Sequence, residues 1–284
     1  MNYILGGGLV GLVTAYYNPS YTVIDELKSR PNGFPCGPEY LWHTPDVVDL
    51  LDDLKLDYNV KKIIIKYGNG SDDDTLNKSI YYSKSRCSPV VIPPSHKAVC
   101  EGKGEIDIVD VNFTTLRLEL LKHVNVIEGR AHHIMYTNFM IDHSRYEYDK
   151  LISTIPAPIF FKDYVQGQYD RKFLYTSKIF QRVFTTINNA DVIYICDPSL
   201  NISRITKVND ETVVYEYNVT EDQYERVMEL TKNNMNIQGR RIAQVISSEP
   251  VKDIDNVKFV GRYARWEHGI KMHDVIKEVK KWSK

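Results

Sequence analysis

The feature that most constrains this chain is a glycine-rich loop in the stretch "NYILGGGLVGLVTAYY". Gly6, Gly8 and Gly11 fill the pattern G-x-G-x-x-G between a short apolar strand and a helix predicted over residues 9–17. The first glycine permits a tight turn, the second lets a pyrophosphate approach the backbone, and the third lets the helix pack on the strand. The free N–H groups of the first helical turn favour an anion there.

A second predicted strand, "YTVIDE", follows the helix and ends in Asp25 and Glu26. A carboxylate at this place, about 20 residues beyond the first glycine, binds ribose hydroxyls and repels a ribose phosphate. The order strand, glycine loop, helix, strand and carboxylate therefore predicts a dinucleotide site. The alternative is a tight turn without a ligand, which the same glycines would also permit.

Charge and composition narrow the function classes. The formal net charge is −1, so no overall basic field favours nucleic acid, although a local basic patch stays open. No apolar run reaches the roughly 20 residues of a membrane span. The first predicted strand begins at Tyr3 and leaves no room for a signal peptide. Because the 4 cysteines are scattered, we expect a reducing compartment and a cytoplasmic protein without membrane contact.

The sequence offers no convincing metal site. Cys87, His96 and Cys100 are too few and wrongly spaced for zinc. His132 and His133 are adjacent on a predicted strand, where neighbouring side chains face opposite sides, so we expect no joint role for them. We therefore predict that the protein uses no metal.

Four blocks of the sequence carry a resemblance to a known family. They are the opening strand–helix–strand unit, the segment "GPEYLWHTPDVVDLL", the pair "VNVIEGRAHHIMY" and "YDKLISTIP", and the segment "VKFVGRYARWEHGIKMHDVI". On these residues the chain resembles the flavin-binding family that contains monoamine oxidases, protoporphyrinogen oxidases and UDP-galactopyranose mutases. The resemblance implies FAD as the cofactor. It also implies an α/β fold with a Rossmann-type FAD-binding domain and an interleaved, smaller, mostly-β substrate domain.

We expect the strands of the opening unit to pair with strands much later in the chain, so that the two domains alternate along the sequence. The predicted FAD-binding domain takes residues 1–50, 105–158 and 240–284. The predicted substrate domain takes residues 51–104 and 159–239.

The resemblance also implies which residues bind the cofactor. The glycines, Gly261 and Arg262 would lie at the pyrophosphate, Ala131 at the adenine, and Lys271 with Met272 at the flavin ring. In place of the family's R-x-G-G the chain has only "RPNG", which includes Arg30. The full set of predicted cofactor-binding residues is Gly6, Gly8, Gly11, Asp25, Glu26, Arg30, Ala131, Gly261, Arg262, Lys271 and Met272.

The catalytic residues implied by the resemblance are His43, Tyr194 and Arg204. His43 belongs to the "HT" of the second block, whereas Tyr194 and Arg204 belong to "VIYICDPSLNISRITKV", which is similar to a mutase segment. For Arg204 a structural alternative is an ion pair with Asp197 or Asp210 on the surface of a strand.

The function that the resemblance implies is an FAD-dependent oxidoreductase of the amine-oxidase type. It would take a hydride from a carbon next to nitrogen while Arg204 holds a carboxylate or phosphate of the substrate. A small substrate domain implies an open cavity, which would admit a bulky amine substrate such as a modified base in DNA.

Two alternatives remain: mutase-like, non-redox flavin catalysis on a nucleotide sugar, and a non-catalytic FAD-binding subunit. The interval between His43 and the helix predicted at Phe113 is too short for the mutases' uridine-binding domain, which argues against UDP-galactopyranose as the substrate. The oligomeric state stays open.

Overall fold

A computed structural model describes residues 1–26, 40–68, 105–164, 173–187, 190–195, 200–246, 249–267 and 269–282 of the chain. Within these ranges the strands are β1 (Asn2–Leu5), β2 (Tyr21–Asp25), β3 (Leu41–Trp42), β4 (Asn59–Gly68), β5 (Glu105–Asp110), β6 (Asn125–Glu128), β7 (Ala131–His132), β8 (Asn138–Ile141), β9 (Ser144–Glu147), β10 (Lys150–Ser153), β11 (Leu174–Phe184), β12 (Val192–Ile195), β13 (Ile202–Asn209), β14 (Thr212–Val219), β15 (Ile237–Ile246) and β16 (Val257–Phe259). The helices are α1 (Leu9–Tyr17), α2 (Pro45–Asp53), α3 (Phe113–Leu121), α4 (Ala157–Asp163), α5 (Glu221–Leu230) and α6 (Met272–Val279).

A parallel sheet with the strand order β16-β10-β1-β2-β6 carries the glycine loop. Its central strands β1 and β10 are short apolar runs, as expected for strands that are covered on both faces. Leu5 at the end of β1 lies beside Ile24 of β2 and Ser153 of β10. Strands from the beginning, middle and end of the chain thus form one sheet. This confirms the predicted α/β fold with sequence-distant strand pairing.

Four helices, α1, α2, α3 and α6, share a buried core on one face of this sheet. Leu12 of α1, Leu50 of α2, Leu116 of α3 and Ile276 of α6 are fully buried. Burying a side chain of this size stabilises the fold by about 1.5–3 kcal/mol, so the shared core holds the four helices on the sheet. None of the helices in the described ranges has the length and apolar character that crossing a membrane requires.

A larger mixed sheet has the strand order β15-β11-β14-β13-β12-β4-β5-β3. Most neighbours are antiparallel, whereas β12 and β4 run parallel. On one face, Tyr194 of β12 lies beside Arg204 of β13, and Arg204 lies beside Glu216 of β14. Side chains opposite one another on neighbouring strands point to the same face, so these three form a row. The exact domain boundaries stay a prediction.

A three-stranded sheet, β7-β8-β9, corrects the expectation for the adjacent histidines. Strand β7 ends at His132, and His133 adopts a left-handed backbone conformation with φ 47°. The two rings therefore meet instead of facing opposite sides, with 2.6 Å between their Nδ1 atoms. Alternation along a strand does not apply once the strand has ended.

Candidate functional site

The glycine loop is held in a tight turn by hydrogen bonds from both neighbouring strands. The Gly6 N–H donates to the carbonyl of Ile24 over 2.9 Å, and the Thr154 hydroxyl lies 3.0 Å from the Gly6 carbonyl. Gly6 has φ 102°, a conformation that favours glycine. A Cβ on Gly11 would lie 1.8 Å from the Gly6 carbonyl oxygen. Helix α1 can therefore begin directly behind the turn only because Gly11 has no side chain.

The beginning of α1 suits an anion. Gly8 occupies the N-cap position with an extended backbone, and the first turn of the helix contains no acidic side chain. The N–H groups of this turn have no carbonyl partner within the helix, and the helix dipole adds to their attraction for negative charge.

The Asp25 carboxylate lies against this loop. A Cβ on Gly7 would be 2.4 Å from Asp25 Oδ2, so the middle glycine leaves the space that the carboxylate occupies. Arg117 of α3 approaches the same oxygen to 3.5 Å. Glu26 directly follows β2, and Arg30 lies outside the described residues. The motif itself identified neither Gly7 nor Arg117, because only the folded chain brings α3 to the end of β2.

A second turn packs on the start of α1. Gly261 has φ 87°, and a Cβ there would lie 2.9 Å from a methyl group of Val10. The adjacent Arg262 donates from Nε to the carbonyl of Ile270 over 3.3 Å. Burial lowers the pKa of the Arg262 guanidinium, Tyr263 acts against this, and the positive charge of Arg204 lowers the pKa further. Arg262 therefore lies within electrostatic reach of Arg204.

Three cations, Arg204, Arg262 and Lys271, lie within electrostatic reach of one another, and together they are called the cationic wall. Burial and the nearby charge of Arg262 lower the pKa of Lys271 to about 8, and Arg204 contributes in the same direction. Burial also raises the pKa of Tyr40, as does the neighbouring Tyr194. The structure thus brings Tyr194, Arg204, Arg262 and Lys271 within electrostatic reach of one another, although they come from two separate segments of the sequence. Tyr40 joins this group and was not predicted.

Arg204 is held from behind by a buried carboxylate. Its guanidinium forms an ion pair with Glu216, and the other oxygen of Glu216 pairs with Lys178 of β11. Of the two alternatives from the sequence, Asp210 pairs with Lys207, and Asp197 lies outside the described ranges, so a pair between Arg204 and Asp197 stays a prediction.

The other predicted residues have different surroundings. Ala131 is buried in β7, and Met272 begins α6 and packs against the core that α6 shares with α1. The His43 side chain is exposed, and its backbone N–H donates to the carbonyl of Asp107 over 3.2 Å. The next residue, Thr44, has a buried hydroxyl without a hydrogen-bond partner among the described residues.

Metal binding has no support in the described part of the chain, where no group of three or more histidine, cysteine or acidic side chains could hold an ion. The residues Cys87, His96 and Cys100 lie outside the described ranges.

The residues at the glycine loop fit the pyrophosphate and ribose of a dinucleotide. The loop and the turn at Gly261 each have positions where a Cβ would collide with the neighbouring chain. The helix start offers donors, Asp25 offers an acceptor, and Arg262 offers a cation at the same end of the sheet.

Comparisons with known proteins agree on the fold. No family model matches the sequence, and no curated protein matches it. Solved structures do match over nearly the whole chain. A reduced UDP-galactopyranose mutase has a TM-score of 0.70 at 12% identity, covering 99% of this chain and 94% of its own. An oxidoreductase from Methanosarcina mazei has a TM-score of 0.67 at 9% identity, covering 99% of both chains.

A putrescine oxidase bound to putrescine has a TM-score of 0.59 at 10% identity, with 99% of this chain and 97% of the oxidase covered. The chain therefore has the fold of the oxidoreductases and the mutase that the sequence resemblance named. At these identities the likeness concerns the fold.

Proposed function

We propose that this protein binds FAD and is an FAD-dependent oxidoreductase of the amine-oxidase type. The observation that carries the proposal is the glycine loop, where Gly6, Gly7 and Gly11 each lie too close to another group to bear a side chain. The N–H groups at the start of α1, with Gly261 and Arg262, would hold the pyrophosphate. Asp25 would accept hydrogen bonds from the ribose, with Glu26 and Arg30 nearby in the chain, and Ala131 would contact the adenine.

When bound, the flavin supplies hydride-accepting chemistry, and the protein supplies binding, orientation and electrostatics. Lys271 and Met272 would lie at the flavin ring. The cationic group around Arg204 would bind an anionic part of the substrate, and Tyr194 beside it would help to orient the substrate. His43 would contact the substrate where the substrate enters the site, because the His43 side chain is exposed.

The charges constrain the substrate. Arg204, Arg262 and Lys271 repel a protonated amine that carries no other charge, and repulsion is strong in a partly desolvated site. An amine substrate would therefore need a carboxylate or phosphate for Arg204, which can hold either group through two parallel hydrogen bonds. A phosphate-bearing bulky substrate, such as a modified base in DNA, meets this requirement. Retention on duplex DNA at low salt that fades as salt rises would test it.

Mutase-like, non-redox catalysis on a nucleotide sugar is the second candidate. The observation that favours it is the same cationic wall, because a nucleotide diphosphate needs several cations. This candidate predicts activity only after reduction of the cofactor and no consumption of oxygen.

The first test is the visible absorption spectrum of the purified protein, followed by heat release and identification of the cofactor. A flavin spectrum with released FAD would support the proposal. A colourless protein that takes up no added FAD would overturn it. Anaerobic bleaching by amines that carry a carboxylate or phosphate would favour the oxidoreductase, whereas bound FAD that no substrate reduces would favour a non-catalytic subunit.

The Arg204→Met variant tests the role of the cationic wall. For an anionic substrate we expect KM to rise about 10-fold or more, since a charge-assisted pair is lost. The exposed Arg145→Met variant on β9 is the control and should leave KM unchanged.

A further inference from the structure

The part of the candidate site that would bind the ribose lies around Asp25 and is called the ribose corner. It contains a cation, Arg117, that is not part of the glycine motif. Arg117 Nη2 lies 3.5 Å from Asp25 Oδ2. Both side chains are about three-quarters buried, with 30% of the Arg117 side chain and 26% of the Asp25 side chain exposed. An ion pair at this depth is less screened by salt than one on the open surface.

Arg117 has a fixed position because its helix is anchored on both sides of it. Asn112 caps the start of α3 by accepting a hydrogen bond from the Thr115 N–H over 2.9 Å. The neighbouring Leu116 and the later Leu120 are fully buried in the core that α3 shares with α1. The backbone of Arg117 is therefore held relative to the glycine loop, and the ion pair with Asp25 orients its guanidinium.

Among the described residues, two further carboxylates lie next to Asp25. Glu26 is its neighbour in the chain, and Glu128 lies beside it on the parallel strand β6. Like charges at neighbouring strand positions repel, so these carboxylates disfavour a fixed position of the ionised Asp25 side chain. Arg117 offsets the repulsion on one oxygen. An ionised carboxylate can accept about four hydrogen bonds, so further donors can still bind.

We propose that Arg117 is a positioning residue that holds the Asp25 carboxylate over Gly7, where it accepts hydrogen bonds from the ribose of the cofactor. This inference rests on the proposed function. It assigns Arg117 no contact with the cofactor, because its effect passes through Asp25.

A double-mutant cycle on FAD binding by the apoprotein tests the inference, with Asp25→Asn, Arg117→Met and the double variant. We expect Arg117→Met to weaken FAD binding about 5-fold and Asp25→Asn about 10-fold. In the Asp25→Asn background, Arg117→Met should change the affinity less than 2-fold, because its target is gone. Arg117→Lys should restore most of the affinity, which a general loss of packing would not allow.

The control is Lys122→Met at the end of the same helix, where Lys122 pairs with Glu119. This variant should bind FAD as the wild type does, and thermal melts of all apoproteins should establish that each variant is folded. If Arg117→Met misfolds, Arg117→Gln replaces it in the cycle.

Equal weakening by Arg117→Met in both backgrounds would overturn the inference, as would no weakening at all. In both cases the wild type still binds FAD, so the proposed function would survive. A wild-type apoprotein that takes up no FAD would overturn both.

Discussion

The Arg204 guanidinium and the Glu216 carboxylate form a buried ion pair between the neighbouring strands β13 and β14. Lys178 of β11 completes the pair on the other carboxylate oxygen, and Ser203 donates to the Glu216 backbone carbonyl over 3.0 Å. Glu216 is 2% exposed. The Glu216 carboxylate therefore pairs with two cations, and the three residues lie on three adjacent strands. This pairing fixes the position of Arg204 in the cationic wall.

Glu216→Gln should destabilise the protein strongly, because it leaves two buried cations without their counter-charge. Breaking one partner of a buried pair costs about 3–5 kcal/mol in the free energy of unfolding. Urea unfolding of the apoprotein measures this. The control is Asp210→Asn, whose carboxylate is 94% exposed and pairs with Lys207, and which should not change the stability measurably. A small effect of Glu216→Gln would mean that the network does not stabilise the mixed sheet.

The same carboxylate should make stability depend on pH in acid. Burial alone would raise the pKa of Glu216, but Arg204 and Lys178 outweigh burial and lower it from 4.5 to about 2. The stabilisation is complete above the unfolded pKa near 4.5 and is lost as the pH falls through the folded pKa near 2. Between these pH values the free energy of unfolding of the wild type should fall as the pH falls. In Glu216→Gln this dependence on pH should be lost. An unchanged slope would assign the acid sensitivity to other carboxylates.

Lys271 should destabilise the apoprotein at neutral pH. Its pKa is about 8 in the folded state against 10.5 unfolded, so the unfolded chain binds more protons between these values and stability rises with pH there. Lys271→Met should therefore stabilise the apoprotein at pH 7 by about 1–2 kcal/mol and flatten this rise. Lys277→Met, on the exposed side of the same helix, is the control. A destabilised Lys271→Met protein would contradict the prediction.

Gly11→Ala should abolish the fit between α1 and the glycine turn. The new Cβ would lie 1.8 Å from a backbone oxygen, so the helix must move. We expect FAD affinity to fall at least about 10-fold and stability by about 1–3 kcal/mol. In the control Gly239→Ala on β15, the Cβ meets the side chains of Met228 and Tyr224 on α5. That variant should lose stability but keep the FAD affinity of the folded protein.

The local parts of the fold could be predicted from the sequence because they depend on neighbouring residues. Helix α1, for example, covers the predicted residues 9–17. The parallel sheet was also predictable, because a glycine loop between a strand and a helix needs a second parallel strand beside it.

The partners within the candidate site could not be predicted, because strand register determines them. Arg204 lies opposite Glu216 only through an irregularity in the pairing of β13 with β14 between Ile202 and Arg204. The ion pair between Arg117 and Asp25 could not be predicted either, because it depends on the packing of α3 on α1. Residue types indicated a charged site, whereas tertiary packing decided which charges meet.

The position of β1 in the parallel sheet has a consequence for the order of synthesis. Its neighbour β10 is translated much later, and β16, which pairs with β10, later still. A nascent chain that ends before Gly261 contains the glycine loop but lacks the turn that packs on Val10. Such long-range pairing makes folding slow, because chain entropy is lost before the contacts form. If the protein binds FAD as proposed, FAD would therefore bind only after Gly261 has been synthesised and the two halves of the sheet have paired.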